Sequence, residues 1–85
     1  MMNEILTQIH SELLSAQSQF KPFNSAHEGY AVIKEEVEEL WDEIKKHPSK
    51  YDMSRMRKEC IQIAAMATRF IIDITCEQET KGGEQ

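Results

Sequence analysis

Four glutamates, Glu35, Glu36, Glu39 and Glu59, are the residues of this chain best placed to do chemistry. The first three lie in Lys34-Glu35-Glu36-Val37-Glu38-Glu39-Leu40-Trp41-Asp42-Glu43, a decapeptide with six carboxylates. Apolar residues at Ile33, Val37, Leu40, Trp41 and Ile44 give this stretch the spacing of a helix with one buried face. At 100° per residue, Glu36, Glu39 and Glu43 fall within about 60° of one another, on a lane flanking that stripe. Carboxylates stacked at i, i+3 and i, i+4 repel, so such a column calls for a cation. Glu59 follows Glu39 after 19 intervening residues, on a later helical segment where Gln62, Arg69 and Asp73 share its lane. Oxygen ligands without cysteine or histidine select Mg²⁺ or Mn²⁺ over zinc. A di-iron carboxylate site is disfavoured, because it requires Glu-x-x-His and no glutamate here has histidine at i+3. Mg²⁺ held by few carboxylates keeps open positions that phosphates fill, so these residues point to metal-assisted chemistry on a phosphate substrate.

Three helices must position these groups. Residues from about Asn3 to Gln19 carry Ile5, Leu6, Ile9, Leu13 and Leu14 at helical spacing. Phe20-Lys21-Pro22 ends that segment, since a residue preceding proline is pushed out of helical geometry. Ser25 followed by Glu28 predicts a capping box at the start of a second helix, which runs to about Lys46. Lys45, Lys46 and His47 suit its negative end, and Pro48 forbids continuation. A loop from His47 to Asp52 leads to a third helix, capped by Asp52 or Ser54, whose apolar body spans Glu59 to Cys76. So short a loop predicts antiparallel packing, which sets the lane of Glu36, Glu39 and Glu43 opposite Glu59 and Gln62. The last residues, from about Gln78 to Gln85 with Gly82-Gly83, are expected to fray.

The third helix is apolar almost all round, and a helix hydrophobic on every side must be buried on every side. Two companion helices cannot surround it. Eighty-five residues also lie near the size at which a single core is only marginally stabilising. Oligomerisation is the usual remedy. The expected architecture is one all-α domain over residues 1–85, a three-helix protomer that assembles into an oligomeric bundle around its third helix. Burying Glu59, Gln62, Arg69 and Asp73 there costs several kcal/mol unless they are paired or hold a metal. Arg69 and Asp73, at i, i+4, can pair with each other; Glu59 has Arg55 on its lane but faces a carboxylate-rich helix.

Charge and cysteine usage exclude several classes. The net charge is −5 and the basic residues form no stripe, so nucleic acid is not an expected partner. Each helix is too charged to span a membrane, and the N-terminus lacks a signal-peptide pattern. Cys60 and Cys76, about 24 Å apart along one helix, cannot pair within the chain. A reduced, cytoplasmic protein is expected.

Glu35-Glu36-x-x-Glu39, a 19-residue spacer and Glu59 together resemble the EExxE…ExxD signature of MazG-like all-α nucleoside triphosphate pyrophosphohydrolases. The likeness extends over His27 to Ile33 and from Arg57 to Ile72, about half the chain. It implies Mg²⁺-dependent (or Mn²⁺-dependent) cleavage of an NTP or dNTP between its α and β phosphates. The products would be a nucleoside monophosphate and pyrophosphate, often in a house-cleaning role. By position, Glu36, Glu39 and Glu59 correspond to metal ligands, and Glu35 to a further ligand or the residue that positions the attacking water. Glu35 and Glu39 are thus the expected catalytic pair. The family's bundles imply a homodimer or homotetramer. Its second motif ends in aspartate, where this chain has Gln62, which offers a carbonyl oxygen but no charge and so weakens metal affinity. Asp73 lies about 16 Å further along the axis and cannot take that place.

Substrate contacts are expected from Asn24 and His27, near the N-terminus of the acidic helix where backbone donors favour anions, and from Arg69 and Asp73. Tyr30 and Trp41 read as core residues, and Glu38 and Asp42 as solvated surface. Two rivals remain: a non-catalytic oligomer that binds nucleotide or protein at a degenerate site, and a structural bundle whose buried acids all have Arg or Lys partners.

Overall fold

The computed structural model describes residues 1–76, which form α1 (Met2–Gln19), α2 (Ala26–Ile44) and α3 (Met53–Phe70) and contain no strand. The all-α expectation holds, while the fraying expected near the C-terminus lies outside the described residues. α1 stops where Phe20 turns extended just before Lys21-Pro22. At the start of α2, the Ser25 hydroxyl accepts the Glu28 N–H at 3.1 Å. The Glu28 carboxylate reaches back one residue further than a standard capping box, accepting the Asn24 N–H at 2.9 Å. One turn of 3₁₀ helix, Pro48–Lys50, follows α2, and Tyr51 Oη donates to the Ile44 carbonyl at 3.0 Å, tying the connection to the helix end. Asp52, rather than Ser54, caps α3 by accepting the Arg55 N–H. Beyond Phe70 the helix widens into π geometry over Ile71–Cys76.

α3 packs against both α1 and α2, which barely touch each other. The core is correspondingly thin: Leu13 and Ala16 of α1, Phe23 of the connection, and Ala65 and Met66 of α3. No large side chain of the described residues is fully buried. The expected buried stripe of α2 is corrected here. Ile33 and Leu40 are half-buried, but Tyr30 and Trp41 are 62% and 56% exposed, and Val37 and Ile44 are also exposed. α2 turns the neighbouring lane of Gly29, Glu36 and Glu43 toward α3, so Val37, Trp41 and Ile44 of its apolar stripe are left exposed while Ile33 keeps to the core. Ile71 and Ile72 are exposed too, so α3 is not buried on every side within one chain.

Gly29 of α2 lies directly against Phe70, at the end of α3. A Cβ there would lie 2.5 Å from Phe70 Cδ2 and 3.2 Å from Phe23 Cδ2. Both contacts are with aromatic rings anchored at the core, which cannot swing aside as a flexible chain end would. Gly29→Ala should therefore destabilise the fold. Overpacking costs about 1–3 kcal/mol, which outweighs or cancels the gain of about 1 kcal/mol in helix propensity. A urea midpoint for Gly29→Ala above the wild-type value would refute this account of the glycine.

Candidate metal centre

The Gly29–Phe70 contact lets α2 and α3 approach closely enough to bring their acidic lanes together. One carboxylate oxygen each from Glu36, Glu39 and Glu59 lie within 4.8 Å of one another. Glu36 and Glu59 are half-buried, and Glu39 is exposed. Glu59 Oε2 is buried and has no hydrogen-bond partner. Among the described residues, the ion pairs join Lys34 to Glu38, Lys45 to Asp42, Lys46 to Glu43, Arg55 to Asp52 and Arg69 to Asp73. None of them neutralises a member of the triad. Arg55, on the lane of Glu59, pairs with Asp52 instead.

The electrostatics follow from this crowding. Burial, then the charges of Glu39 and Glu59, push the Glu36 carboxyl up from 4.5 to about 7. Glu59 is raised as well, first by burial and then by the neighbouring Glu39 carboxylate, while Lys58 pulls it back. A carboxyl whose folded pKa is raised binds its proton more tightly in the native state. Its contribution to stability is therefore greatest below about pH 4.5 and is lost as pH rises to about 7. Metal-free thermal melts should show Tm falling across this window more steeply in the wild type than in Glu36→Gln. Equal slopes would mean that Glu36 does not titrate there.

The remaining sequence candidates divide. A groove of about 740 Å³ opens beside the triad, walled by the C-terminal half of α1, the α1–α2 connection, α2 and α3. Glu35, Glu36, Gln62, Asn24 and Arg69 line it, but His27 and Asp73 do not. Asn24 is engaged by Glu28 through both its backbone N–H and its side-chain amide. Glu43, expected in the same acidic pocket, is buried and held by Lys46 at 3.0 Å, one turn further along at the helix end.

Arg69 and Asp73, expected at the substrate, form an internal clamp on the α1–α2 connection. Arg69 Nη2 donates to the Lys21 carbonyl at 2.6 Å, and its Nε lies 3.6 Å from Asp73 Oδ2. The guanidinium sits 4.1 Å from the Phe23 ring centroid and 5.8 Å from that of Phe20. Asp73 Oδ2 in turn accepts the Phe23 N–H at 3.0 Å. The pairing at i, i+4 was foreseeable; the backbone of the connection as its second partner was not.

α1 adds residues to the site that the acidic motifs do not point to. Glu12, Ser15 and Gln19 line the groove, and Lys21 joins them from the connection. Their spacing of i, i+3, i+7 forms a polar lane beside buried Leu13 and Ala16, a signal already present in the sequence.

Compared with known proteins, the chain matches no family model, no characterised sequence and no solved structure. The resemblance in its acidic motifs therefore rests on those residues alone.

Proposed function

We propose that this chain hydrolyses a nucleoside triphosphate or deoxynucleoside triphosphate to the monophosphate and pyrophosphate, with Mg²⁺ or Mn²⁺ as cofactor. The observation that carries this reading is the triad of Glu36, Glu39 and Glu59: three convergent carboxylates without an ion-paired cation, one with an orphaned buried oxygen. An all-oxygen donor set with a deficit of positive charge fits a hard divalent ion. When bound, such an ion would neutralise phosphate charge and lower the pKa of a water molecule. Glu36, Glu39 and Glu59 would hold it, with the Gln62 carbonyl as a neutral donor beside Glu36. Glu35, on the groove wall, would orient the attacking water and accept its proton. The oxygen of that water then bonds to the α-phosphorus, and the bond to the pyrophosphate oxygen breaks. The groove walled by α1 would receive the nucleoside.

The same reading includes antiparallel packing of α2 and α3, supported by Gly29 lying against Phe70 at one end and Tyr51 bonded to Ile44 at the other. It also includes a cytoplasmic homodimer or homotetramer. The outward stripe of Tyr30, Val37, Trp41 and Ile44 supports assembly, because a monomer rarely leaves so much contiguous apolar surface in water. No helix of the described residues is long and apolar enough to cross a membrane.

Pyrophosphate release from a panel of NTPs and dNTPs with Mg²⁺ or Mn²⁺ tests the proposal. Release from at least one nucleotide is expected, and silence across the panel would sink it. Gln62 favours the second reading, a non-catalytic nucleotide-binding oligomer. If the enzyme reading holds, Gln62→Asp should raise the rate at limiting Mg²⁺ by roughly tenfold, since an added carboxylate tightens metal binding. A rate unchanged by that substitution would remove Gln62 from the ligand set.

A further inference from the structure

One wall of the large groove belongs to no helix. Phe20, Lys21, Pro22, Phe23 and Asn24 all line it, so the whole α1–α2 connection is wall. α1 also walls a smaller groove of about 380 Å³ with the first half of α3, and the connection takes no part in that one. The ends of the connection are held by the flanking helices. The Phe20 N–H donates to the Ala16 carbonyl at 2.9 Å, and the Asn24 N–H donates to the Glu28 carboxylate. Its middle is held from α3: Arg69 donates to the Lys21 carbonyl, and Asp73 accepts the Phe23 N–H. Both side chains are more than nine-tenths buried. In an α-helix, residues four apart stand about 40° out of register. The wider π turn that begins at Ile71 reduces that offset, bringing Asp73 over Arg69 and both onto the connection. One oxygen, Asp73 Oδ2, then serves the guanidinium and the Phe23 amide together.

We propose that Asp73 is a positioning residue for ligand binding in the large groove, acting through the connection. It does not line the groove and touches no ligand there. Without its carboxylate the Phe23 amide loses its acceptor, and the connection exchanges one seated position for many. Affinity for a ligand that needs this wall then falls in proportion to the seated fraction. The triad stands on α2 and α3 and draws no residue from the connection, so its affinity for metal is unchanged. The inference rests on the hydrolase reading for the choice of ligand, a nucleotide.

Calorimetric titration of the full chain tests this with two probes. One is Mn²⁺ alone, and the other is a panel of α,β-methylene nucleoside triphosphates, which resist cleavage between those phosphates. Asp73→Ala should weaken binding of the tightest analogue by about tenfold while Mn²⁺ affinity stays within about twofold of wild type. Asp73→Asn, whose amide oxygen still accepts the Phe23 N–H, should recover most of the loss. Tyr51→Phe loses a hydrogen bond at the opposite end of the α2–α3 pair and should bind the analogue as the wild type does. In the wild type, where no variant need fold, the analogue should slow hydrogen exchange of the Phe23 amide by about tenfold or more. Any of four results would overturn the proposal: wild-type affinity in Asp73→Ala, parallel losses of analogue and Mn²⁺, a matching loss in Tyr51→Phe or in Asp73→Asn, or a Phe23 amide that the analogue leaves unprotected. Wild-type protein that binds no analogue overturns it together with the hydrolase reading. Binding without turnover of any nucleotide removes the hydrolase reading alone.

Discussion

Glu39→Gln should reduce pyrophosphate release by roughly a hundredfold or more, through loss of a charged ligand from the shared carboxylate cluster. The amide has nearly the same size, and Glu39 is the exposed member of the triad, so no packing is disturbed. Removing one of three repelling charges should leave the metal-free fold at least as stable as before. The stabilisation that added Mn²⁺ confers on the wild type should shrink in the variant, because a ligand stabilises only the state that binds it. The two measurements together separate a role in holding metal from a structural one. A variant that retains the wild-type rate would remove Glu39 from the site. One that melts several degrees lower without metal would show that its role is structural.

Arg69→Met should have the largest effect on stability, a loss of about 3–5 kcal/mol in urea unfolding. Arg69 is only 5% exposed, and it makes the hydrogen bond to the Lys21 carbonyl, the ion pair with Asp73, a contact with Met66 Sδ and the stacking on Phe23 and Phe20. Methionine fills part of the space but leaves Asp73 buried beside no cation. A loss of this size is comparable to the whole folding free energy of a small domain. Converting Asp73 to Asn in the same chain should recover part of it, since a neutral amide still accepts the Phe23 N–H. If the double variant were no more stable than Arg69→Met, the buried charge would not be the cause.

The helices were legible because their signals are local. Ser25 with Glu28, the Lys21-Pro22 stop and Pro48 act within a few residues, and each boundary lies within two residues of its expected place at these signals. The three carboxylates of the triad were legible for the same reason: helical spacing places Glu36 and Glu39 on one lane, and the short connection brings Glu59 to it. Orientation about the helix axis was harder to read. α2 carries two adjacent lanes, one apolar and one acidic with a glycine, and the apolar lane looked like the inner one. Gly29 decides the matter, since only that lane lets the helices approach so closely, and a single glycine has no periodicity to detect. The clamp beside the groove was hidden for another reason. Arg69 and Asp73 meet the α1–α2 connection across about fifty residues of chain.

The separation of α1 from α2 has a consequence for ligand binding. α1 is docked almost only on α3 and contributes none of the glutamates of the triad. Yet α1 supplies a wall of both grooves. Each groove therefore exists only while this one helix is seated, and its seating buries Leu13 and Ala16, two of the five core residues. A ligand that fills either groove binds the seated form alone, so its affinity includes the cost of seating α1. Amide protons of α1 should accordingly report occupancy from a helix that holds none of the triad glutamates.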